Sequence, residues 1–198
     1  SKATEILGKL GADVIPIPET KEYPWEEEFF VLLFEFREGI NKYLRKADSD
    51  LQNLNQLIAF NNQNKDVAME HFGQEIFIES AETLGQRSKY MRSVELITRE
   101  SRDYIDGLLN EYNLDTLVGL TRGPAWLINY DGGDEQATED QRSWGNGGFA
   151  ASAGYPHITV PFGLVDGLPV GISFISTAWD DKSIIEMAYA FEQENGFN

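Results

Sequence analysis

The 198-residue chain contains no cysteine, which removes disulfide bridges, thiolate metal sites and a cysteine nucleophile together. Histidine is nearly as scarce. His71 and His157 are the only two, so a metal centre built on several imidazoles is not expected, and nothing calls for another cofactor. Positive charge is also sparse, with 16 Lys and Arg against 33 Asp and Glu and a net charge of -17. Nucleic acids and anionic membranes are held by clustered cations, and no such cluster occurs, so neither is an expected partner. No apolar run reaches the roughly 18 residues of a bilayer span. The longest, Phe29 to Phe36, is interrupted by Glu35 and flanked by Glu26, Glu27 and Glu28. No secretory signal is visible, but a segment from within a longer protein would show none, and this chain opens at Ser1 rather than Met. The compartment, cytoplasmic or periplasmic, is left open.

What is present describes a water-soluble globular domain, or a large piece of one, with a 41% apolar share. Ala3 to Leu10 reads as the last turns of a helix, stopped by Gly11 and followed by a short strand at Asp13 to Ile17. Such a helix feeding a strand is half of an α/β unit, and suggests a preceding strand upstream. A long helix follows Pro24, with its three glutamates at the positive end and Phe29, Leu32, Leu33, Phe36, Ile40, Tyr43 and Leu44 at helical spacing. Phe30, Val31 and Phe34 add a second apolar face. Asp48-Ser49-Asp50 supplies a turn and a helix start, and Leu54 to Phe60 fits a short helix ending near Asn61-Asn62. Shorter helical pieces are expected over 66–72 and 74–83, then a long helix over 88–112.

The character changes at Leu114. A short strand covers Leu117, Val118 and Leu120, and a Gly-, Asp- and Pro-rich stretch runs from Thr121 to Gly148. His157 to Val160 and Val170 to Ile175 read as strands, with Asp166-Gly167 as a tight turn between them. An amphipathic helix over Ser183 to Glu194 closes the chain. The fold class is therefore α/β, a mixed β-sheet flanked by helices. The helix-rich half spans 1–113 and the strand-rich half 114–198 of a single domain.

The familiar catalytic patterns fail. There is no Gly-x-Ser-x-Gly elbow, phosphate loop or dinucleotide fingerprint. Gly145-Asn146-Gly147-Gly148 reads as a tight backbone approach into the small-residue helix Ala150-Ala151-Ser152-Ala153, ahead of a ligand loop. Asp131, Asp134, Glu135, Glu139 and Asp140 lack the spacing of an EF-hand and read as a solvated acidic loop. The loop's length is less ordinary, because unstructured loops beyond ~12–15 residues are often lids or binding loops. His71, near a helix end, is expected to interact with the local dipole. His157 opens a strand, where general-base use is the minor reading, and neither histidine has an evident Ser-Asp pair.

More specific are several linked motifs. Gly154-Tyr155-Pro156, Val160-Pro161-Phe162-Gly163, Leu168-Pro169-Val170-Gly171 and Tyr189-Ala190-Phe191-Glu192 follow one another within Gly147 to Gln193. In that order they resemble the C-terminal end of amidase signature enzymes. Leu32 to Leu44, Leu54 to Asn64 and His71 to Phe77 resemble the peptide-amidase-like subgroup, and Leu114 to Trp126 resembles the family's strand and substrate-side loop. The resemblance covers nearly the whole chain.

It implies an enzyme that hydrolyses linear amides of small molecules or peptides. The family uses a serine nucleophile, a second serine in a cis peptide, a lysine base and backbone amides for the oxyanion. Its Gly-Gly-Ser-Ser-Gly-Gly signature and lysine-bearing strand are absent from these residues, so no catalytic residue is carried over. The chain is expected to be the C-terminal portion of such an enzyme, inactive without the missing N-terminal half. Thr121, Arg122, Gly123 and Trp126 are expected to face substrate from a strand end, and Gln74 from the matched Phe72-Gly73-Gln74-Glu75 segment. A severed sheet would also expose an edge, so self-association is expected. The alternative is a non-catalytic binding or scaffold module derived from an amidase.

Overall fold

The computed structural model describes residues 1–18, 21–128 and 147–197. The described chain divides into two compact units, one formed by 24–97 and the other by 1–23 with 98–198. The long helix α6, Arg87–Glu111, runs from the first into the second.

In the 24–97 unit, α2 (Trp25–Lys46) starts behind Pro24 with Glu26, Glu27 and Glu28 in its first turn, where the partial positive charge of the free N–H groups favours them. The expected apolar faces hold in part: Leu33 and Leu44 of the first and Phe30 and Phe34 of the second are buried, together with Arg37, whereas Phe29, Leu32 and Tyr43 are exposed. Rings organise the packing: Phe34 stacks on Tyr90 of α6 at 4.3 Å, and Lys89 sits over the Phe30 ring at 3.8 Å. Tyr90 also donates its hydroxyl to Glu35 Oε1 at 2.7 Å. Helix α3 (Leu54–Gln63) is capped by Asn53 rather than by the Asp48-Ser49-Asp50 turn, and Asn41 Oδ1 accepts the Leu54 N–H at 2.8 Å. The helical piece expected over 66–72 is shorter, with α4 spanning Lys65–Ala68. Helix α5 is Glu75–Glu82, and its Phe77 stacks on Phe36 at 5.2 Å.

The second unit carries the sheet. Helix α1 (Lys2–Lys9) ends with Gly11 at φ +86°, where Ala12 N donates to Leu7 O and Gly11 N to Gly8 O. That pair of bonds satisfies two carbonyls that the helix end leaves open. The strand expected at Asp13 to Ile17 is not formed. The segment has no ladder partner among the described residues, and Val14 and Ile15 lie exposed. Strands β1 (Leu117–Leu120), β2 (His157–Val165) and β3 (Leu168–Ile175) form an antiparallel sheet in the order β1-β3-β2.

The β2–β3 hairpin turns at Asp166 and Gly167, both at positive φ (52° and 82°). Two such residues give the turn whose twist matches the strands. Further along, Phe162 is an extra residue between the pairs Pro161↔Gly171 and Gly163↔Val170. The bulge shifts the register by one residue and so decides which side chains share a face.

On one face Ile158, Val160, Ile172 and Phe174 pack against Ile184, Ala188 and Phe191 of α8 (Asp181–Asn195) and Ile6 of α1. On the other, Leu117 and Ile175 pack with Tyr23, Ile105, Leu109 and the small-residue helix α7 (Gly147–Ala153). Both apolar faces are needed because the sheet lies between helices.

Phe174 and Phe191 are fully buried and meet edge to face at 5.7 Å. Phe174→Ala is expected to destabilise the chain by about 3–5 kcal/mol, the usual loss for a large aromatic removed from a core. Denaturant unfolding followed by tryptophan fluorescence checks this, and a loss under about 1 kcal/mol would place Phe174 outside a cooperative core.

Candidate functional site: the end of strand β1 and a hydroxyl cluster

Four of the five expected substrate-facing residues follow directly after β1 in the chain. Thr121 is the first residue past the strand and still follows its ladder, its N–H donating to the Gly171 carbonyl at 2.9 Å. Its side chain lies on the sheet face opposite α8. There its Oγ1 meets Ser173 Oγ at 2.7 Å and Thr159 Oγ1 at 3.3 Å. Arg122 and Trp126 are exposed, and Gly123 is half-buried. Arg122 makes no ion pair with any described residue.

Gln74 belongs to the 24–97 unit. It is buried at the start of α5, where its Oε1 accepts from Asn61 Nδ2 at 3.1 Å. Its Nε2 donates to Asn62 Oδ1 at 2.8 Å and to the Ile58 carbonyl at 3.3 Å. The amide thereby ties α3 to α5, on the rim of a hollow that Lys65, Asp66, Glu70 and Glu75 also line.

The sequence reading missed a contact. His157 Nε2 lies 2.7 Å from Ser173 Oγ, and Ser173 Oγ lies 3.2 Å from Thr159 Oγ1. Imidazole and three hydroxyls thus form one connected cluster across all three strands. Two observations speak against a serine nucleophile. Ser173 is only 4% exposed, in mid-strand, and no described carboxylate is bonded to the imidazole to complete a triad. The signal that could have found the cluster is the alternation His-x-Thr in β2 with x-Ser-x in β3. Counting back from the Asp166-Gly167 turn without the bulge, however, sets Thr159 opposite Phe174.

The glycine-rich approach into α7 is a matter of close packing. A Cβ on Gly147 would come 3.1 Å from His157 Cε1, and one on Gly148 would press on the Tyr23 ring at 3.0 Å. The Tyr23 hydroxyl in turn bonds Ser152 Oγ at 2.5 Å. The acidic stretch Asp131 to Asp140, with Gly145 and Asn146, lies outside the described residues. No group of metal-binding side chains occurs among the described residues, and no described helix is long and apolar enough to cross a membrane.

A second polar network fixes the other end of the sheet. Tyr155 donates to Asp106 Oδ2 at 2.6 Å and Thr177 to Asp106 Oδ1 at 2.8 Å. Burial, then the Asp106 bond, raises the Tyr155 pKa, so the phenol stays protonated as a donor. Asp180 accepts from Ser183 at 2.5 Å and Ser176 at 2.7 Å, and these bonds lower its carboxyl pKa. Through these bonds Asp106 ties α6 to Tyr155 and to Thr177 beyond β3, and Asp180 ties the start of α8 to Ser176.

Comparison with known proteins agrees with this architecture. The Amidase family model matches residues 1–185. A probable amidase of Arabidopsis thaliana is 31% identical over 169 residues, which cover 84% of this chain and 29% of that protein. The native peptide amidase of Stenotrophomonas maltophilia superposes with a TM-score of 0.80 at 36% identity, covering 98% of this chain and 39% of that one. A peptide amidase bound to the competitive inhibitor chymostatin gives a TM-score of 0.81 at 37% identity, covering 97% and 39%. The chain thus spans less than two fifths of the length of these relatives. On the family match and the shared fold, the chain belongs to the amidase family.

Proposed function

We propose that this chain is the C-terminal part of an amidohydrolase acting on linear amides of small molecules or peptides, and that it is inactive alone. The observation that carries the reading is the asymmetry of the structural match: nearly all of this chain aligns with well under half of a peptide amidase. In the chemistry the resemblance implies, a serine oxygen attacks the amide carbon and its proton passes through a second serine to lysine. The leaving amine departs protonated, and water then frees the acid. Among the described residues no lysine is hydrogen-bonded to a serine, which supports placing the nucleophile and base in the preceding polypeptide.

This portion then supplies one wall of the cleft. Thr121, Arg122, Gly123 and Trp126 form it just past the end of β1, where Arg122 and Trp126 are exposed. Gln74 remains the candidate of the 24–97 unit. The edge of β1 that has no partner strand among the described residues and segment 13–17 line one groove with α6 residues Tyr104, Ile105 and Leu108. Leu10, Val14, Ile15 and Val118 are exposed there or beside it, a surface suited to the rest of the sheet.

Three outcomes test the reading. A fluorophosphonate serine probe, read by intact mass, is expected to label the full-length enzyme and leave this chain unlabelled. Stoichiometric labelling here, at Ser173 above all, would return the nucleophile to this chain. In the full-length enzyme, Arg122→Ala is expected to change preference across an amide panel at least several-fold, with stability changed by under about 0.5 kcal/mol as for an exposed residue. Unchanged selectivity would remove Arg122 from the cleft. In sedimentation experiments the isolated chain is expected to self-associate as concentration rises, and Val118→Lys on that edge of β1 to reduce it. A strictly monomeric chain would count against an exposed packing surface. A start codon directly before Ser1 together with no probe labelling would favour the non-catalytic module.

A further inference from the structure

We infer that His157 is a positioning residue for the amide-binding wall, acting through Ser173 on Thr121 and thereby on the segment that carries Arg122 and Trp126. The inference rests on the reading that this segment faces substrate. The path is continuous: His157 Nε2 to Ser173 Oγ, 2.7 Å, and Ser173 Oγ to Thr121 Oγ1, 2.7 Å. Ser173 is buried, so its hydroxyl depends on side chains rather than water, and beside these two short contacts only the longer one to Thr159 Oγ1, at 3.2 Å, is available to it among the described residues. Thr121 is the last residue held by the β1–β3 ladder, through its N–H on Gly171. Fixing its side chain therefore fixes the point from which the segment departs.

The imidazole is itself confined. Gly147 approaches its Cε1 so closely that a methyl group there would already be tight, at 3.1 Å. The residue as a whole is exposed, yet partial burial of the ring lowers its pKa below the ordinary 6.5. Among the described residues no charged side chain is bonded to it: β1, β3 and α7 contain no titratable residue, and on α6, which packs on the same face, Arg102 bonds the Ala153 carbonyl, Tyr104 accepts from Lys21 N and Asp106 accepts from Tyr155 and Thr177. The acidic and basic residues of α8 belong to a helix that packs on the opposite face.

The neutral ring can accept the Ser173 proton or donate to its oxygen, depending on tautomer. The imidazolium can only donate, so protonation fixes the direction of the Ser173 hydroxyl and resets its bond to Thr121. The stability consequence has a definite sign. As pH falls, the unfolded chain takes up this proton first, near 6.5, and the folded chain later. The contribution is whole above 6.5 and is lost as pH falls through the lower folded value.

The first test is an NMR titration of the chain itself, with His71→Gln assigning the two imidazoles. His157 is expected to titrate below 6.5, and the Thr121 amide to shift with the same midpoint. In Ser173→Ala the Thr121 response is expected to vanish while His157 still titrates. A Thr121 amide blind to His157, or a response that survives Ser173→Ala, overturns the path.

The second test uses the full-length enzyme. His157→Phe is expected to lower kcat/KM for the preferred amide about 2- to 10-fold, the worth of one neutral hydrogen bond, mostly through KM. His157→Gln should restore it without the acid limb of the pH profile. If Arg122→Ala and Trp126→Ala alter amide preference but His157→Phe does not, the positioning role fails. If none of the three alters it, the cleft reading fails instead, and the NMR result still decides the path.

Discussion

The arrangement of the sheet-bearing unit depends on β3, the one described strand with a partner on both edges. Strand geometry sends successive side chains to opposite faces, so Ile172 and Phe174 fall on one side and Ser173 on the other. The first pair reaches Phe191, Ile184 and Ala188 of α8 and builds the apolar core. Ser173 reaches His157, Thr159 and Thr121. One strand therefore anchors the core and fixes the hydroxyl cluster, and a slip of one residue would exchange the two.

That slip is prevented by features separated along the sequence. The Asp166-Gly167 turn sets the hairpin, and the bulge at Phe162 corrects its register by one residue. Beyond the strand's end, Ser176 bonds Asp180 and the Asp115 carbonyl, while Thr177 bonds Asp106. Ser176 is fully buried and tolerates few arrangements, because leaving it unpaired would cost its desolvation. The apolar face supplies most of the driving force and the polar bonds select the register.

Most helices and all three strands were legible because periodicity, glycine stops and the turn pair act locally. Gly11, Asp166-Gly167 and the spacing of α8 are of that kind. What was not legible depended on partners distant in sequence. Segment 13–17 has strand composition but no described strand beside it, so it forms no ladder. In α2 two apolar faces competed, and ring packing by Tyr90 and Lys89 selected Phe30 and Phe34 over Phe29 and Leu32. Gln74 was singled out from its motif, yet its amide is committed to Asn61, Asn62 and Ile58. The strand-end cluster at Thr121 was half visible: the strand and its end followed from sequence, but His157 and Ser173 entered only through the bulge.

Gly171 joins the two levels. In sequence it belongs to Leu168-Pro169-Val170-Gly171, a motif with an evident structural use and no chemical one. In the fold the space of its missing side chain is taken by the Thr159 methyl group and the Thr121 hydroxyl. A Cβ there would lie 2.6 Å from Thr159 Cγ2 and 3.0 Å from Thr121 Oγ1, with the Val160 carbonyl at 3.4 Å. A β-branched side chain has few staggered states, so the two threonines have little freedom to give way while keeping their bonds to Ser173. The glycine is required by side chains on the two neighbouring strands, rather than by its own backbone angles. A motif that reads as fold alone is therefore also a condition for placing Thr121, and through it the start of the proposed cleft wall.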